Sequence, residues 1–278
     1  MELAFALVFG LVIGSFLNVC IVRLPNGIPI SKPRSHCPKC KKLIPWYDNI
    51  PILSYVFLRA RCRHCGTKIS VRYPFIEALT GLVSVLLYLK YGVGPEWFIF
   101  FAFSSALLVL AVIDVDHRIL PDPITLNGIW IGVVASVYLA QPSPIVSSIF
   151  FALGFEAASP RVNALIASLL GAFVGGGLLW GVAEVYLRLR GIEGLGFGDV
   201  KMMAMVGAFL GVPRTLLTLM IGSLVGSITG VIFIRFSGKD RQYELPFGTF
   251  LSAAGIISVL YGETLVRLYV DRLIRPGL

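Results

Sequence analysis

Long apolar runs constrain this chain more than any other feature of its sequence. Eight segments carry few charges, and most of them are long enough to cross about 30 Å of hydrocarbon as helices. They lie at residues 3–22, 74–92, 97–115, 123–141, 163–187, 202–212, 214–235 and 247–263. A composition of 56% hydrophobic and 14% charged residues excludes an ordinary soluble domain. The sequence therefore predicts an all-α, polytopic membrane protein with about eight transmembrane helices in a lipid bilayer.

Charged residues predict the orientation of these helices. Eleven Lys and Arg residues lie between residues 23 and 73, and the positive-inside rule makes this stretch cytoplasmic. The run at 202–212 is the weakest of the eight, because about eleven helical residues cover only half of the hydrocarbon core. Residues 1–22 lack a basic start and a small-residue cleavage site, which favours a retained first transmembrane helix over a removed signal peptide.

Four of the five cysteines form two matched CxxC pairs in the basic stretch. The pairs are separated by 21 residues, which is the spacing of a zinc ribbon with four thiolate ligands, here Cys37, Cys40, Cys62 and Cys65. A reducing cytoplasm disfavours disulfides, and a stretch with few large apolar side chains needs a metal to hold one shape. Residues 23–73 are therefore predicted to form a small cytoplasmic domain around structural zinc, inserted between helices 1 and 2. A redox role for one CxxC pair and ligation by the neighbouring histidines His36 and His64 are the alternatives.

Two aspartates stand at the ends of apolar runs that the predicted topology brings to the same side of the membrane. Asp114 lies in the last turn of the run at 97–115, and Asp199 lies just before the run at 202–212. A carboxylate at the edge of a bilayer raises the free energy of the folded protein unless it is ion-paired or solvated, so such a residue is often retained for a function. Two carboxyl groups can act as in an aspartic protease, one activating water and the other, protonated, polarising the scissile carbonyl. Spacing alone leaves Asp116 open as an alternative to Asp114.

A glycine-rich break surrounds Asp199, with the sequence Gly-Leu-Gly-Phe-Gly-Asp-Val-Lys at residues 194–201. Glycine permits positive φ and lets another backbone, such as an extended peptide substrate, come close. Gly196, Gly198 and Lys201 are therefore candidate supporting residues of the site. The competing interpretation is a turn between two membrane helices, with Asp199 as the cap of the second helix.

The remaining acids and Cys20 have simpler interpretations. Asp122 precedes a proline and is expected to cap the N-terminus of the next membrane helix. Asp116 is expected to be solvated or ion-paired. Glu77 and Glu184 lie within apolar runs, where polar contacts between helices or parts of a second site are the two roles expected of them. Cys20 lies in the first run and is expected to be a buried packing residue.

Short motifs spread along nearly the whole chain match a known family. They are Gly14-Ser15-Phe16-Leu17-Asn18-Val19, the two CxxC pairs, Asp48-Asn49-Ile50-Pro51, Ser70-Val71-Arg72-Tyr73-Pro74, Leu120-Pro121-Asp122, Gly196-Phe197-Gly198-Asp199-Val200-Lys201 and Pro246-Phe247-Gly248. On these motifs the chain resembles the bacterial type IV prepilin peptidases, membrane aspartic proteases that share a Gly-x-Gly-Asp motif with the presenilin type.

This resemblance implies an activity, a site and a location. Asp114 and Asp199 would be the catalytic pair, within a transmembrane peptidase domain at residues 74–278. The protein would lie in the bacterial cytoplasmic (inner) membrane with its active site facing the cytoplasm. Its substrates would be type IV prepilins and type II secretion pseudopilins, cut after a basic leader and before an apolar helix. Many members also methylate the new N-terminus with S-adenosylmethionine, but no glycine-rich strand-to-helix turn marks a site for it in this sequence, and a peptidase that cleaves without methylating is the alternative.

Two features depart from the family pattern. Asp114 and Asp199 are 85 positions apart, longer than is usual, which points to extra length in the external loop at about 142–162, expected to be irregular. Thr249 replaces the proline expected after Pro246-Phe247-Gly248. Neither departure touches the two aspartates.

Functions from other classes compete with the peptidase. An ion-coupled transporter would use its acids as a proton relay near the middle of the bilayer and would carry internal repeats, which the sequence does not show. A non-catalytic scaffold would dock through the zinc-binding domain. Nothing in the sequence indicates nucleic-acid binding.

Overall fold

Helices make up nearly all the regular structure of the residues that the computed structural model describes, which are 1–141, 143–154, 158–192, 194–237 and 245–274. The prediction of an all-α fold is confirmed for these residues. The α-helices are α1 (Glu2–Arg23), α2 (Leu53–Phe57), α3 (Arg72–Tyr91), α4 (Pro95–His117), α5 (Asp122–Leu139), α6 (Pro144–Ala152), α7 (Pro160–Arg190), α8 (Phe197–Ser237) and α9 (Phe247–Tyr269). Short 3-10 helices lie at Leu24–Asn26 and Trp46–Asn49, and a π-helix follows α9 at Val270–Ile274.

Seven of the described helices are long and apolar enough to cross a membrane: α1, α3, α4, α5, α7, α8 and α9. One of these seven, α8, contains both predicted runs at 202–212 and 214–235, as two helical segments joined at a kink. Gly211 interrupts α8 with a φ of 68° and a ψ of 174°, which is not helical. The carbonyl oxygen of Met203 and the methyl group of Thr215 both lie beside Gly175, although twelve residues of straight helix rise about 18 Å. The chain therefore bends back sharply at Gly211.

Small residues govern helix packing in the N-terminal unit, Met1–Val109. Gly10 and Gly14 of α1 face α3, as their spacing suggests. A Cβ on Gly10 would lie 2.8 Å from the Cα of Gly81, which only a glycine allows. The hydroxyl of Ser84 donates to the carbonyl of Ala6 at 2.6 Å and joins the same two helices. Close packing and hydrogen bonds such as this one thus hold α1 on α3.

The C-terminal unit, Leu110–Leu278, contains a closer helix contact. A Cβ on Gly171 of α7 would overlap the carbonyl oxygen of Gly207 of α8, so the two backbones touch. The hydroxyl of Ser168 donates to the carbonyl of Ala208 at 2.7 Å beside this contact. On another face of α8, Gly132 of α5 packs against the Cβ of Ala208. These contacts fix the segment of α8 whose first turn carries Asp199.

The loop predicted as irregular between residues 142 and 162 contains a helix. Residues Pro144–Ala152 form α6, so the prediction is wrong for these residues, while residues 142 and 155–157 lie outside the described part. Asn163 of α7 holds the start of α6, since its Oδ1 accepts from the N–H of Ser143 at 2.7 Å and its Nδ2 donates to Ser147 at 2.9 Å. Val146 is the buried residue of α6. Long-range side-chain bonds order this loop, and local sequence does not reveal them.

The contact between α7 and α8 predicts unequal effects of two glycine substitutions in one helix. Gly171→Ala should lower the thermal unfolding midpoint in detergent, because overpacking costs about 1–3 kcal/mol. Gly177→Ala is the control, since a Cβ there meets no atom within 4 Å. Alanine favours a helix by about 1 kcal/mol over glycine, so this control should keep or raise the midpoint. Equal midpoints for the two variants would contradict the assigned backbone contact.

Candidate active site and metal cluster

Asp114 lies in the last two turns of α4 and is only 5% exposed. Its Oδ2 accepts a hydrogen bond from the backbone N–H of Thr249 at 2.8 Å. The hydroxyl of the same threonine lies 3.1 Å from the same carboxyl oxygen. Thr249 belongs to the first turn of α9, and its N–H also lies 3.3 Å from the carbonyl oxygen of Pro246, the N-cap residue of that helix. The start of α9 therefore holds the side chain of Asp114 in place.

The hydroxyl of Thr249 also lies 3.0 Å from the carbonyl oxygen of Ala111 in α4. A hydroxyl has one proton to donate, and it can also accept. It donates to Asp114 when that group is a carboxylate, and it can turn to the Ala111 carbonyl when Asp114 itself carries a proton. The Thr249 hydroxyl therefore has an acceptor whether Asp114 is ionised or protonated.

Asp199 lies in the first turn of α8 and is 9% exposed. Its Oδ1 is buried and has no hydrogen-bond partner among the described residues. A buried polar atom without a partner costs about 1–3 kcal/mol, and such atoms are found where a substrate or water binds. Asp199 is close enough to Asp114 for the two carboxyl groups to interact electrostatically. The structure therefore brings together the two acids that the sequence predicted.

Leu120 is where the backbone segments beside the two acids converge. A Cβ on Gly198, next to Asp199, would lie 3.1 Å from the Cβ of Leu120. A Cβ on Gly248 would lie 3.0 Å from the Cδ1 of Leu120 and 3.1 Å from the Oδ2 of Asp114. Both glycines are therefore needed for close approach. Sequence reasoning noted Leu120 and Gly248 only within family motifs and did not place them in the site.

The three predicted supporting residues have different surroundings. Neither Gly196 nor Gly198 has a positive φ, so backbone freedom does not explain these glycines, and only Gly198 is in a tight contact, with Leu120. A Cβ on Gly196 would lie 3.5 Å from the Oδ2 of Asp199. The ammonium group of Lys201 donates to both carboxylate oxygens of Asp122, at 2.7 and 2.9 Å. Lys201 therefore ties the start of α8 to the start of α5.

The prediction that Asp122 caps a helix through its side chain is wrong. Asp122 is the first residue of α5, and no side-chain hydrogen bond caps that helix. Asp122 forms an ion pair with Lys201 instead of a capping bond, because a charged partner stabilises the carboxylate more than a backbone N–H does. This partner is 79 positions away in sequence, so local capping rules could not find it.

The other acids that the sequence singled out are not part of this pair. Asp116 and Glu184 belong to the C-terminal unit, and Glu77 belongs to the N-terminal unit. Asp116 is exposed. Glu184 pairs with Arg188 one turn along α7 at 2.7 Å. Glu77 is buried in α3, where its Oε2 accepts from the N–H of Ile52 at 2.8 Å. These contacts give no support to a proton relay. Cys20 is buried, as predicted.

The predicted zinc ligands form one cluster in the N-terminal unit. The sulfur atoms of Cys37, Cys40, Cys62 and Cys65 all lie within 4.8 Å of one another, and those of Cys37 and Cys65 are 3.8 Å apart. A tetrahedron with Zn–S bonds of about 2.3 Å has edges of about 3.8 Å, so the spacing fits Zn²⁺. The cluster within the described residues contains no histidine.

Two matching turns present these cysteines. The N–H of Cys37 donates to the carbonyl of Lys42 at 3.0 Å, and that of Cys62 donates to the carbonyl of Thr67 at 2.8 Å. Lys41 and Gly66 occupy equivalent positions with positive φ, at 59° and 68°. An isolated antiparallel bridge closes each turn, at His36–Leu43 and Arg61–Lys68. This repeat is the expected form of a zinc ribbon and gives no support to a redox CxxC.

The electrostatics of the cluster favour a bound cation. The backbone N–H of Cys40 is the main cause that lowers the pKa of the Cys37 thiol to about 6. The backbone N–H of Thr67 lowers the pKa of Cys65, but desolvation and the other three sulfurs outweigh it and raise that pKa to about 11. Adjacent thiolates repel each other, so all four ionise together only around a cation.

Comparisons with known proteins agree with this geometry. The model of the bacterial peptidase A24 N-terminal domain matches residues 8–91, and that of the type IV leader peptidase family matches residues 101–231. Similar proteins include the prepilin leader peptidase/N-methyltransferases of Pseudomonas putida, Xanthomonas campestris pv. campestris and Legionella pneumophila. Their identities are 34%, 34% and 32%, over 93%, 94% and 94% of this chain and 90%, 92% and 92% of their own lengths. No solved structure matches the chain.

The cluster predicts one zinc ion per chain in the purified protein. Cys62→Ser should lose that zinc, because three thiolates bind it more weakly than four. His64→Ala, which changes the neighbouring histidine, and Cys20→Ser, which removes a cysteine outside the cluster, are the controls and should keep it. Elemental analysis by mass spectrometry measures the ratio. A full equivalent of zinc in Cys62→Ser would contradict four-cysteine ligation.

Proposed function

Because the chain belongs to the type IV leader peptidase family, we propose that it is a membrane aspartic endopeptidase that removes the leader from type IV prepilins. Asp114 and Asp199 are its catalytic pair. The observation that carries this proposal is the convergence of two buried acids, from α4 and α8, around Leu120. Mutual repulsion favours a single shared negative charge in such a pair, as water activation by an aspartic protease requires.

The reaction needs one carboxylate and one carboxylic acid. The carboxylate takes a proton from a water molecule, whose oxygen forms a bond to the scissile carbonyl carbon. The carboxylic acid gives its proton to the carbonyl oxygen, which completes a neutral tetrahedral diol. The C–N bond then breaks, one hydroxyl of the diol returns its proton to the pair, and the leaving nitrogen takes a proton from the pair.

The contacts of the two acids support different roles. Asp114 accepts from the N–H and the hydroxyl of Thr249, and donors of this kind stabilise a carboxylate. We therefore assign Asp114 as the group that activates water. Asp199 has an oxygen without a partner among the described residues, which suits an acid that donates to the substrate carbonyl. Thr249 is a positioning residue for Asp114.

Location, substrates and cofactors complete the proposal. The positions of the basic residues support an active site at the cytoplasmic face of the bacterial inner membrane. Type II secretion pseudopilins are a second substrate class, and residues 74–278 form the peptidase domain. The names of the relatives support an additional N-methyltransferase activity, for which S-adenosylmethionine would supply the methyl group. Residues 23–73 would hold structural zinc through Cys37, Cys40, Cys62 and Cys65, in agreement with their sulfur spacing.

Single substitutions of the two acids test the catalytic pair. Asp114→Asn and Asp199→Asn should each slow prepilin cleavage by about 10²–10⁴-fold, the usual contribution of general acid or base catalysis. Asp116→Asn is the matched control and should keep the wild-type rate, because Asp116 is exposed two residues away. Cleavage by purified protein is followed by the mass shift of the substrate. Wild-type activity in either of the first two variants would refute the two-acid mechanism.

Substitutions of Thr249 test its role beside Asp114. Thr249→Val removes the hydroxyl at almost constant volume and should lower kcat about tenfold with little change in KM, because a hydrogen bond to a charged group contributes about 1.5–3 kcal/mol. Thr249→Ser keeps the hydroxyl and should restore most of the rate. Steady-state kinetics on prepilin separate the two constants. If Thr249→Val matches the wild type, or if the serine fails to restore the rate, Thr249 does not position Asp114.

A further inference from the structure

Two hydrogen-bonded anchors hold the segment between α1 and α3 against the ends of those helices. This segment, residues 24–71 (the insertion), carries the four-cysteine cluster. Both helices are long and apolar enough to cross a membrane. At the end of α1, the buried guanidinium group of Arg23 donates to the carbonyl groups of Ile30 at 2.8 Å and Pro33 at 2.6 Å. The first residues of the insertion therefore fold back onto the end of a membrane helix.

The second anchor sets the depth of α2. The backbone N–H of Ile52, which precedes α2, donates to the buried carboxyl group of Glu77 at 2.8 Å. Glu77 lies five residues inside α3, about 7.5 Å along the helix axis. The 20 residues of α3 rise about 30 Å, the thickness of the hydrocarbon core, so Glu77 lies inside the span. The start of α2 is therefore held at the edge of the bilayer.

The backbone conformation of Ile52 supports this role of Glu77. Its φ is 59°, and a β-branched residue rarely takes a positive φ. Such a conformation costs about 1–3 kcal/mol and persists only where the surrounding structure fixes the residue. The bond to Glu77 is one of the contacts that fix Ile52, so α2 has a defined position relative to α3.

One face of α2 is apolar and exposed. Leu53, Val56 and Phe57 are spaced i, i+3 and i+4, which places them on the same side of a helix. All three residues are more than half exposed, and Phe57 is 81% exposed. Such an exposed apolar patch marks a site that contacts a protein or a membrane. The 3-10 helix Trp46–Asn49 contacts α2, and its exposed Trp46 is of a residue type enriched at membrane interfaces.

The charge of the insertion favours a membrane over a protein substrate as its partner. The insertion contains nine Lys and Arg residues and one acid, Asp48. Arg63 donates to that acid at 2.8 Å, so its negative charge is neutralised. Anionic lipid headgroups attract basic segments by about 1 kcal/mol for each Lys or Arg near the surface. The leaders of the proposed substrates are themselves basic, and the same charge repels them.

We propose that the insertion binds the surface of the bilayer, with the apolar face of α2 inserted at the headgroup boundary and the basic residues on anionic headgroups. A protein partner would have to displace lipid from a face held at this depth, whereas lipid covers the face without any further partner. Depth, apolar surface and positive charge thus fit one occupant, an anionic membrane. The inference is independent of the proposed peptidase function.

A photocrosslinker in the full-length protein identifies the occupant of the α2 face. Phe57→benzoylphenylalanine should form adducts with lipid in nanodiscs that contain phosphatidylglycerol. Leu43→benzoylphenylalanine is the control, because Leu43 is also exposed but closes a cysteine turn and does not belong to α2. It should form about fivefold less lipid adduct, since an interfacial helix buries its apolar face in the lipid. Equal lipid adducts at the two positions, or adducts with added prepilin in place of lipid at position 57, would overturn the proposal.

Hydrogen exchange tests the insertion of α2 with a matched pair of leucines. Leu53 and Leu43 are equally exposed, at 55% and 56%, so neither change removes a core contact. Leu53→Asp should speed amide exchange across residues 50–58 by about tenfold in these nanodiscs, because a charge opposes insertion into lipid. Leu43→Asp should leave that exchange unchanged. Aspartate is favourable in the first turn of a helix, so faster exchange in Leu53→Asp reports lost insertion and not lost helicity.

A change of lipid tests the part played by charge. Amide exchange of the wild type across residues 50–58 should be about threefold faster in phosphatidylcholine nanodiscs than in phosphatidylglycerol nanodiscs, because the basic residues lose their anionic partners. Equal exchange in the two lipids would overturn the proposal. So would unchanged exchange in Leu53→Asp, or an equal effect of Leu43→Asp.

Discussion

The hydrogen bond from the backbone of Thr249 to Asp114 is the interaction on which the candidate site most depends. It joins α9 to the end of α4 across 135 positions of sequence and fixes the direction of a buried carboxyl group. The bond forms because Gly248 has no side chain and so lets the start of α9 come close to Asp114 and Leu120. Leu120 in turn touches Gly198 beside Asp199. Leu120, packed between Gly198 and Gly248, therefore determines how closely the backbone segments that carry the two acids come together.

Helix packing farther from the site supports this arrangement. The backbone contact between Gly171 and Gly207 holds α7 against the first segment of α8, and Lys201 ties the same segment to Asp122 of α5. The sharp bend at Gly211 keeps this segment short, so that its first turn presents Asp199. In a membrane, apolar surfaces gain little from contact with each other, so close backbone packing and polar bonds carry more of the specificity.

Much of this arrangement was predictable from the sequence. Hydropathy predicted the membrane helices, the distribution of basic residues predicted that Asp114 and Asp199 share one side, and cysteine spacing predicted the four-sulfur cluster. Residue spacing could not choose between Asp114 and Asp116, and the family resemblance made that choice. The burial of Asp114 and the exposure of Asp116 agree with it.

What the sequence could not predict depends on distant partners or on backbone angles. Hydropathy separates the two apolar runs around residue 211, but it does not show the sharp bend at Gly211 that joins them. Asp122 looked like a cap because its partner Lys201 is far along the chain. Thr249 stood out as a departure from a family pattern, yet its two bonds to Asp114 need the folded arrangement of α4 and α9.

The central claim is that Asp114 and Asp199 act as one unit, and a double-mutant comparison tests it most directly. Residues that act together lose their contribution when either is removed, so effects on the rate are strongly non-additive. Single-turnover cleavage of prepilin should therefore be no slower in the double variant Asp114→Asn/Asp199→Asn than in the slower single variant. A double variant whose loss equals the product of the two single losses would contradict a shared catalytic site.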